Sequence, residues 1–109
     1  MRRYLSLTPS AEADLDAHFI YLSQKADIET ALRFDTAAFA SFERLCETPF
    51  VGSERQYLNT SLKDLRMWFV DGFDRYLIFY RVLDEAILIV RVLHSSRDVN
   101  SIMSDETIN

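Results

Sequence analysis

Apolar positions change their period along the chain, and each change marks an element. Tyr4 to Leu7 form a short apolar run that stops at Thr8-Pro9, where Thr8 suits an N-cap and Pro9 the first helical residue. Ala11, Leu15, Phe19 and Leu22 then recur at helical spacing and predict a helix over about 10–25. Glu12, Asp14 and Asp16 sit near the positive end of its dipole and Lys25 at the other end. Asp27 suits the cap of a second helix, whose stripe of Ala31, Phe34 or Asp35, Ala38, Phe42 and Leu45 runs toward Thr48-Pro49. The stretch 49–62 holds Gly52, hydroxyl and amide side chains and no stable period, so it reads as an extended connector. Three β-rich segments follow at 63–70, 76–82 and 86–93, separated by Asp71-Gly72-Phe73-Asp74 and Asp84-Glu85. Leu88, Val90 and Val92 alternate with Ile87, Ile89, Arg91 and Leu93, so the last strand is apolar on both faces and belongs in the sheet interior. The expected fold is α+β: a strand, a two-helix hairpin, then a three-stranded antiparallel meander, with the helices packed on one face of the sheet. Residues 1–109 are expected to form a single domain, with 100–109 a flexible tail.

Composition agrees with one core and narrows the partners. The chain has 109 residues, 49% of them hydrophobic, with eight Phe, five Tyr, two Gly and two Pro, which excludes a disordered or collagen-like polymer. A formal net charge of -5 argues against nonspecific nucleic-acid binding as the main activity, because counterion release needs clustered cations. The charge is segregated: Glu12, Asp14, Asp16, Asp27, Glu29, Asp35, Glu43 and Glu47 fall on the helices, whereas Arg66, Arg75, Arg81, Arg91 and Arg97 fall on the strands or their exit. Cys46, the only cysteine, cannot form an internal disulfide. The start lacks an apolar signal-peptide core, and no run approaches a membrane span. A cytoplasmic location is expected.

Few residue patterns carry chemistry of their own. No nucleotide-binding or zinc-hydrolase motif is present, and His18 and His94 lack a metal-ligand spacing, so neither a metal nor another cofactor is expected. His94 follows the last apolar strand and precedes Ser95, Ser96, Arg97 and Asp98. It suits either proton transfer and phosphate binding beside Arg97, or a capping role that holds the C-terminal segment. Arg97 with Asp98 has the same two readings. Arg81 and Arg91 suit sheet-face salt bridges or recognition of an anionic partner, and Arg66 with Trp68 suits a cationic and aromatic patch or a snorkelling Arg over a core Trp. Phe34, Phe39 and Phe42 read as helix packing and as apolar anchors for a partner. His18 is expected to satisfy a ring nitrogen locally, and Cys46 to be an inert thiol.

Several blocks together resemble one family. Leu7-Thr8-Pro9-Ser10-Ala11-Glu12-Ala13-Asp14-Leu15, Thr48-Pro49-Phe50-Val51-Gly52, Leu65-Arg66, Tyr76-Leu77-Ile78-Phe79-Tyr80-Arg81 and Ile89-Val90-Arg91-Val92-Leu93-His94-Ser95-Ser96-Arg97-Asp98 resemble the ParE branch of the bacterial RelE/ParE toxin superfamily, over residues 4–99. The resemblance implies the toxin of a type II toxin–antitoxin module, held in a hetero-oligomeric complex by a ParD-like antitoxin that alone reads operator DNA. It implies inhibition of DNA gyrase by binding rather than catalysis, so no catalytic residue is named. The alternatives are ribosome-dependent mRNA cleavage of the RelE type, or a non-toxic member that only binds antitoxin. No tyrosine follows Arg97-Asp98, whereas the RelE-like branch commonly uses one near its C-terminus. Arg66, Arg81, Arg91, His94 and Arg97 are the candidates for target binding. Phe34, Phe39, Phe42 and Trp68 are those for antitoxin binding, through the second helix and the outer sheet.

Overall fold

A computed structural model describes residues 2–55 and 64–104. In chain order the elements are β1 (Tyr4–Leu7), α1 (Pro9–Lys25), α2 (Ile28–Glu47), β2 (Ser53–Arg55), β3 (Leu65–Val70), β4 (Phe73–Val82), β5 (Ala86–His94) and α3 (Val99–Ser104). Both helix starts form as their cap residues dictate: the Ala11 N–H donates to Thr8 Oγ1 at 3.0 Å and the Thr30 N–H to Asp27 Oδ1 at 2.7 Å. Those bonds satisfy donors that the first helical turn leaves open.

The sheet corrects the expected meander. It has five strands in the order β1-β5-β4-β3-β2 and is mixed, because β1 runs parallel to β5 while the other neighbours are antiparallel. A four-residue strand carries no local signal for its partner, and here the pairing joins Tyr4 to Ala86 across nearly the whole chain. β2 lies inside the stretch read as connector. Its Ser53, Glu54 and Arg55 are all exposed on the sheet edge, so no apolar alternation announces it. β4 begins at Phe73 because Val70 pairs directly with Phe73, leaving a two-residue loop of Asp71 and Gly72. Gly72 has φ +77°, a left-handed conformation that favours glycine. Residues 99–104, most of them within the stretch expected to be a flexible tail, form α3 and fully bury Met103; residues 105–109 lie outside the described residues.

A bulge divides the core between the two faces. Phe79 pairs with Arg91 but Tyr80 pairs with Ile89, so Val90 is the extra residue and the alternation of β5 changes there. Ile87, Ile89 and Val92 join Ala11, Leu15, Phe34, Ala38, Phe42 and Tyr80 beneath the two helices. Val90 and Leu93 instead join Leu65, Met67, Phe79 and Met103 on the opposite face, with Val99 and Ile102 of α3 packed against them. The long helices therefore cover one face as expected, and α3 covers part of the other. Among the described residues no helix is long and apolar enough to cross a membrane.

Candidate functional site at the exit of the last strand

The site begins where β1 ends. Leu7 is the last residue paired to β5, opposite Ile89, and beyond it α1 takes over the exposed β5 edge. The Thr8 N–H donates to the Ile89 carbonyl and its hydroxyl to the Val90 carbonyl at 2.7 Å. Asp14 and His18, one helical turn apart, then serve both polar groups of Val92. Its N–H donates to Asp14 Oδ2 at 3.0 Å, and His18 Nε2 lies 2.7 Å from its carbonyl oxygen. A carbonyl only accepts, so Nε2 carries the proton and the neutral ring leaves Nδ1 as acceptor. The two side chains replace a missing strand neighbour, which satisfies the backbone where a purely apolar helix face would leave it unpaired.

Asp14 also holds Arg91. The guanidinium donates from Nε at 2.7 Å and from Nη2 at 2.8 Å, a bidentate pair with both side chains largely buried. Burial holds His18 below the ordinary histidine value of 6.5; the bond to Val92 and the charge of Asp14 oppose this, and the charges of His94 and Arg97 reinforce it. His18 is thus a long-range strut. The local satisfaction expected for it from sequence does not occur, because its partner lies on β5.

Past Val92 the chain opens into a cleft. His94 pairs with Tyr76 across the sheet, and the Tyr76 ring stands edge-on to both His18 and His94, each centroid 4.9 Å away. The Ser96 N–H donates to His94 Nδ1 at 3.0 Å, and the Ser96 hydroxyl lies 2.8 Å from the same atom. Accepting at Nδ1 makes Nε2 the protonated nitrogen of neutral His94. The turn is fixed by the Ser95 N–H on the Arg75 carbonyl and the Arg97 N–H on the His94 carbonyl. The result is a cleft of about 350 Å³ lined by both histidines, Tyr21, Tyr76, Asp14, Ala17, Ser96 and Arg97. Burial pushes the Tyr76 phenol up, which keeps it neutral. Among the described residues no group of three His, Cys, Asp or Glu side chains is placed to hold a metal ion.

The sequence candidates do not converge on one place. His94 and Arg97 share the cleft, and Arg91 is engaged by Asp14 beside it. Arg66 pairs across from Tyr80 on the helix-covered face, donates to the Gly52 carbonyl at 2.7 Å and stacks over Phe50 at 5.1 Å. Arg81 pairs with Leu65 and Leu88 and so shares the opposite face. Its Nε is buried without a hydrogen-bond partner among the described residues. Phe34 and Phe42 are fully buried, so they belong to the core and not to a surface that an antitoxin meets, whereas Phe39 is 41% exposed. Trp68 is half-buried and packs against the core beneath the helices. Cys46 is buried and its thiol is pushed up by that burial, although Arg2 acts in the other direction.

Sequence reasoning missed Tyr80 and Asp14. The Tyr80 hydroxyl accepts the Gly52 N–H at 2.9 Å and donates to the Pro49 carbonyl at 2.8 Å. A Cβ at Gly52 would meet that hydroxyl at 2.3 Å, so glycine is required by close approach. A phenol in the middle of an apolar strand demands a polar partner, and that was the available signal. For Asp14 the signal was weaker, since an acid in the first turns of a helix already has a reason to be there.

A model of the ParE toxin of the type II toxin–antitoxin system parDE matches residues 5–99, a span that holds both long helices and, apart from Tyr4, the strands. The chain belongs to the ParE toxin family. No curated protein sequence matches it. A solved structure described as a chromosomal ParDE toxin–antitoxin system from P. aeruginosa superposes with a TM-score of 0.69 at 22% sequence identity, covering 85% of this chain and 96% of that one. At that identity the likeness speaks for the fold. The α-hairpin on a mixed sheet is thus the ParE architecture within the RelE/ParE superfamily.

Proposed function

We propose that this ParE-family toxin arrests growth by binding DNA gyrase, without a covalent reaction of its own, and that a ParD-like antitoxin neutralises it in a hetero-oligomeric complex. The observation that carries this reading is the family match across residues 5–99. The arrangement of cations favours it over mRNA cleavage. Stabilising the charge at a scissile phosphate requires several donors aimed at one point, and here Arg66 lies on the helix-covered face, Arg81 on the opposite face, and Arg91 is taken up by Asp14. Target contact is assigned to the strand exit, through His94 and Arg97.

Antitoxin contact is assigned to α2 and the adjoining outer surface. Ile28, Leu32 and Phe39 are 53%, 54% and 41% exposed and recur along α2 near helical spacing, a stripe suited to apolar anchors. Expression with and without the antitoxin gene tests both parts. The expected results are growth arrest rescued by the antitoxin, loss of gyrase supercoiling, and accumulation of cleaved plasmid with the purified toxin. Unchanged supercoiling and intact plasmid at a growth-arresting dose would remove gyrase from the proposal. Cleaved mRNA on ribosomes would replace it with the nuclease reading.

A further inference from the structure

We infer that the two-histidine cleft is an anchor pocket for a single protein carboxylate, either an acidic side chain or a chain terminus, presented by the polypeptide this toxin binds. The inference rests on the reading that the toxin works by binding a protein. Its basis is a mismatch between donors and acceptors. Neutral His94 offers Nε2–H, because Nδ1 already accepts from Ser96, and Arg97 adds an exposed guanidinium. The one carboxylate lining the cleft, Asp14, is already engaged by Arg91 and the Val92 N–H. Beside the His18 Nδ1 acceptor and hydroxyls that can serve either way, the cleft thus sets the His94 N–H and the Arg97 guanidinium, and a ligand that meets both is an anionic acceptor.

Size and charge select among anions. A cleft of about 350 Å³ fits a small group against the rings of Tyr21 and Tyr76. Arg97 supplies one formal positive charge, matching one carboxylate. A nucleic-acid backbone instead needs a row of cations, and among the described residues that line this cleft Arg97 is the one arginine. A solitary carboxylate can pair with Arg97 at the cleft mouth while the group that carries it rests on the tyrosine rings.

The test is an NMR titration of the histidine ring signals in the purified toxin at constant ionic strength. The probes are N-acetyl-aspartyl-phenylalaninamide, N-acetyl-phenylalanine, uncharged N-acetyl-phenylalaninamide and uridine monophosphate. Saturable shifts of the His94 signals with a carboxylate probe are expected, weakened about tenfold or more in Arg97→Gln and absent with the uncharged amide. The tighter of the two carboxylate probes distinguishes a side chain from a chain terminus. No saturable shift with either, an unchanged affinity in Arg97→Gln, or tighter binding of uridine monophosphate would overturn the inference. Because binding is read directly, its failure is distinguishable from a failure to inhibit gyrase: a toxin that stops supercoiling yet ignores both carboxylates rejects the pocket alone.

Discussion

Arg91 and Arg97 belong to the same terminal block, yet they have opposite fates. Arg91 is clamped by both oxygens of Asp14, which also takes the Val92 N–H, so its charge is spent inside the fold. Arg97 stands exposed at the cleft beside a histidine whose Nδ1 is already occupied. A second closed clamp, Tyr80 and Arg66 on the Pro49–Gly52 stretch, repeats the first pattern elsewhere in the sheet. Clamped groups hold elements together and resist substitution, whereas the exposed group at the cleft mouth, Arg97, is one whose loss the fold tolerates. The difference makes stability and function separable by mutation.

The largest stability loss is expected at the Arg91 clamp. Asp14→Ala deprives a largely buried guanidinium of its carboxylate and the Val92 N–H of its acceptor, and should cost about 3 kcal/mol. Asp14→Asn keeps an acceptor for Val92 and should lose about half as much. Urea denaturation of both variants measures this, and equal losses would assign the whole effect to the ion pair and none to the Val92 bond. Next comes the second clamp. Tyr80→Phe removes a hydroxyl that both accepts from buried Gly52 and donates to Pro49, and should cost about 2 kcal/mol. An unaltered midpoint would mean that water takes over both bonds.

His18 lies between the two regions, and acid should reveal it. Its folded-state pKa is lowered by burial, so the unfolded chain binds the proton more readily and stability falls as pH drops below about 6.5. The loss stops once the pH is under the folded-state value, where both states are protonated. Asp14 opposes the effect, while His94 and Arg97 strengthen it. His18→Gln keeps a donor for the Val92 carbonyl and should flatten the dependence between pH 7.5 and about 5.5 in the same urea assay. An equally steep dependence in the variant would assign the acid sensitivity to other groups.

What could be read from the sequence divides along the same line. Helix caps and the buried stripe of α2 depend on neighbours in the chain, and they formed where the residues indicated, whereas the turn expected over 71–74 is shorter, since Phe73 and Asp74 already belong to β4. The parallel pairing of β1, the edge strand β2 and the flip at Val90 depend on distant partners, and no local period encodes them. At the site, His94 and Arg97 stood out because they follow the last apolar strand. The clamping of Arg91 by Asp14 joins residues on α1 and β5, and His18 was misread for the same reason. Phe34 and Phe42 were placed on a partner surface although their spacing with Ala31, Ala38 and Leu45 already marked the buried stripe.

The smallest stability effect, and the sharpest functional one, should come from Arg97→Gln. Arg97 is exposed, and its backbone N–H, which closes the turn on the His94 carbonyl, survives the substitution. Loss of an exposed charge away from caps and core shifts stability by less than about 0.5 kcal/mol. If the cleft is where the target docks, the same change should lower growth arrest and gyrase inhibition at least about tenfold, since a charge-assisted hydrogen bond to the target is removed. Binding to the antitoxin through α2 should persist, and pull-down with the antitoxin separates the two surfaces. A variant that folds, binds antitoxin and remains fully toxic would place the target surface elsewhere and leave the cleft without a role in docking.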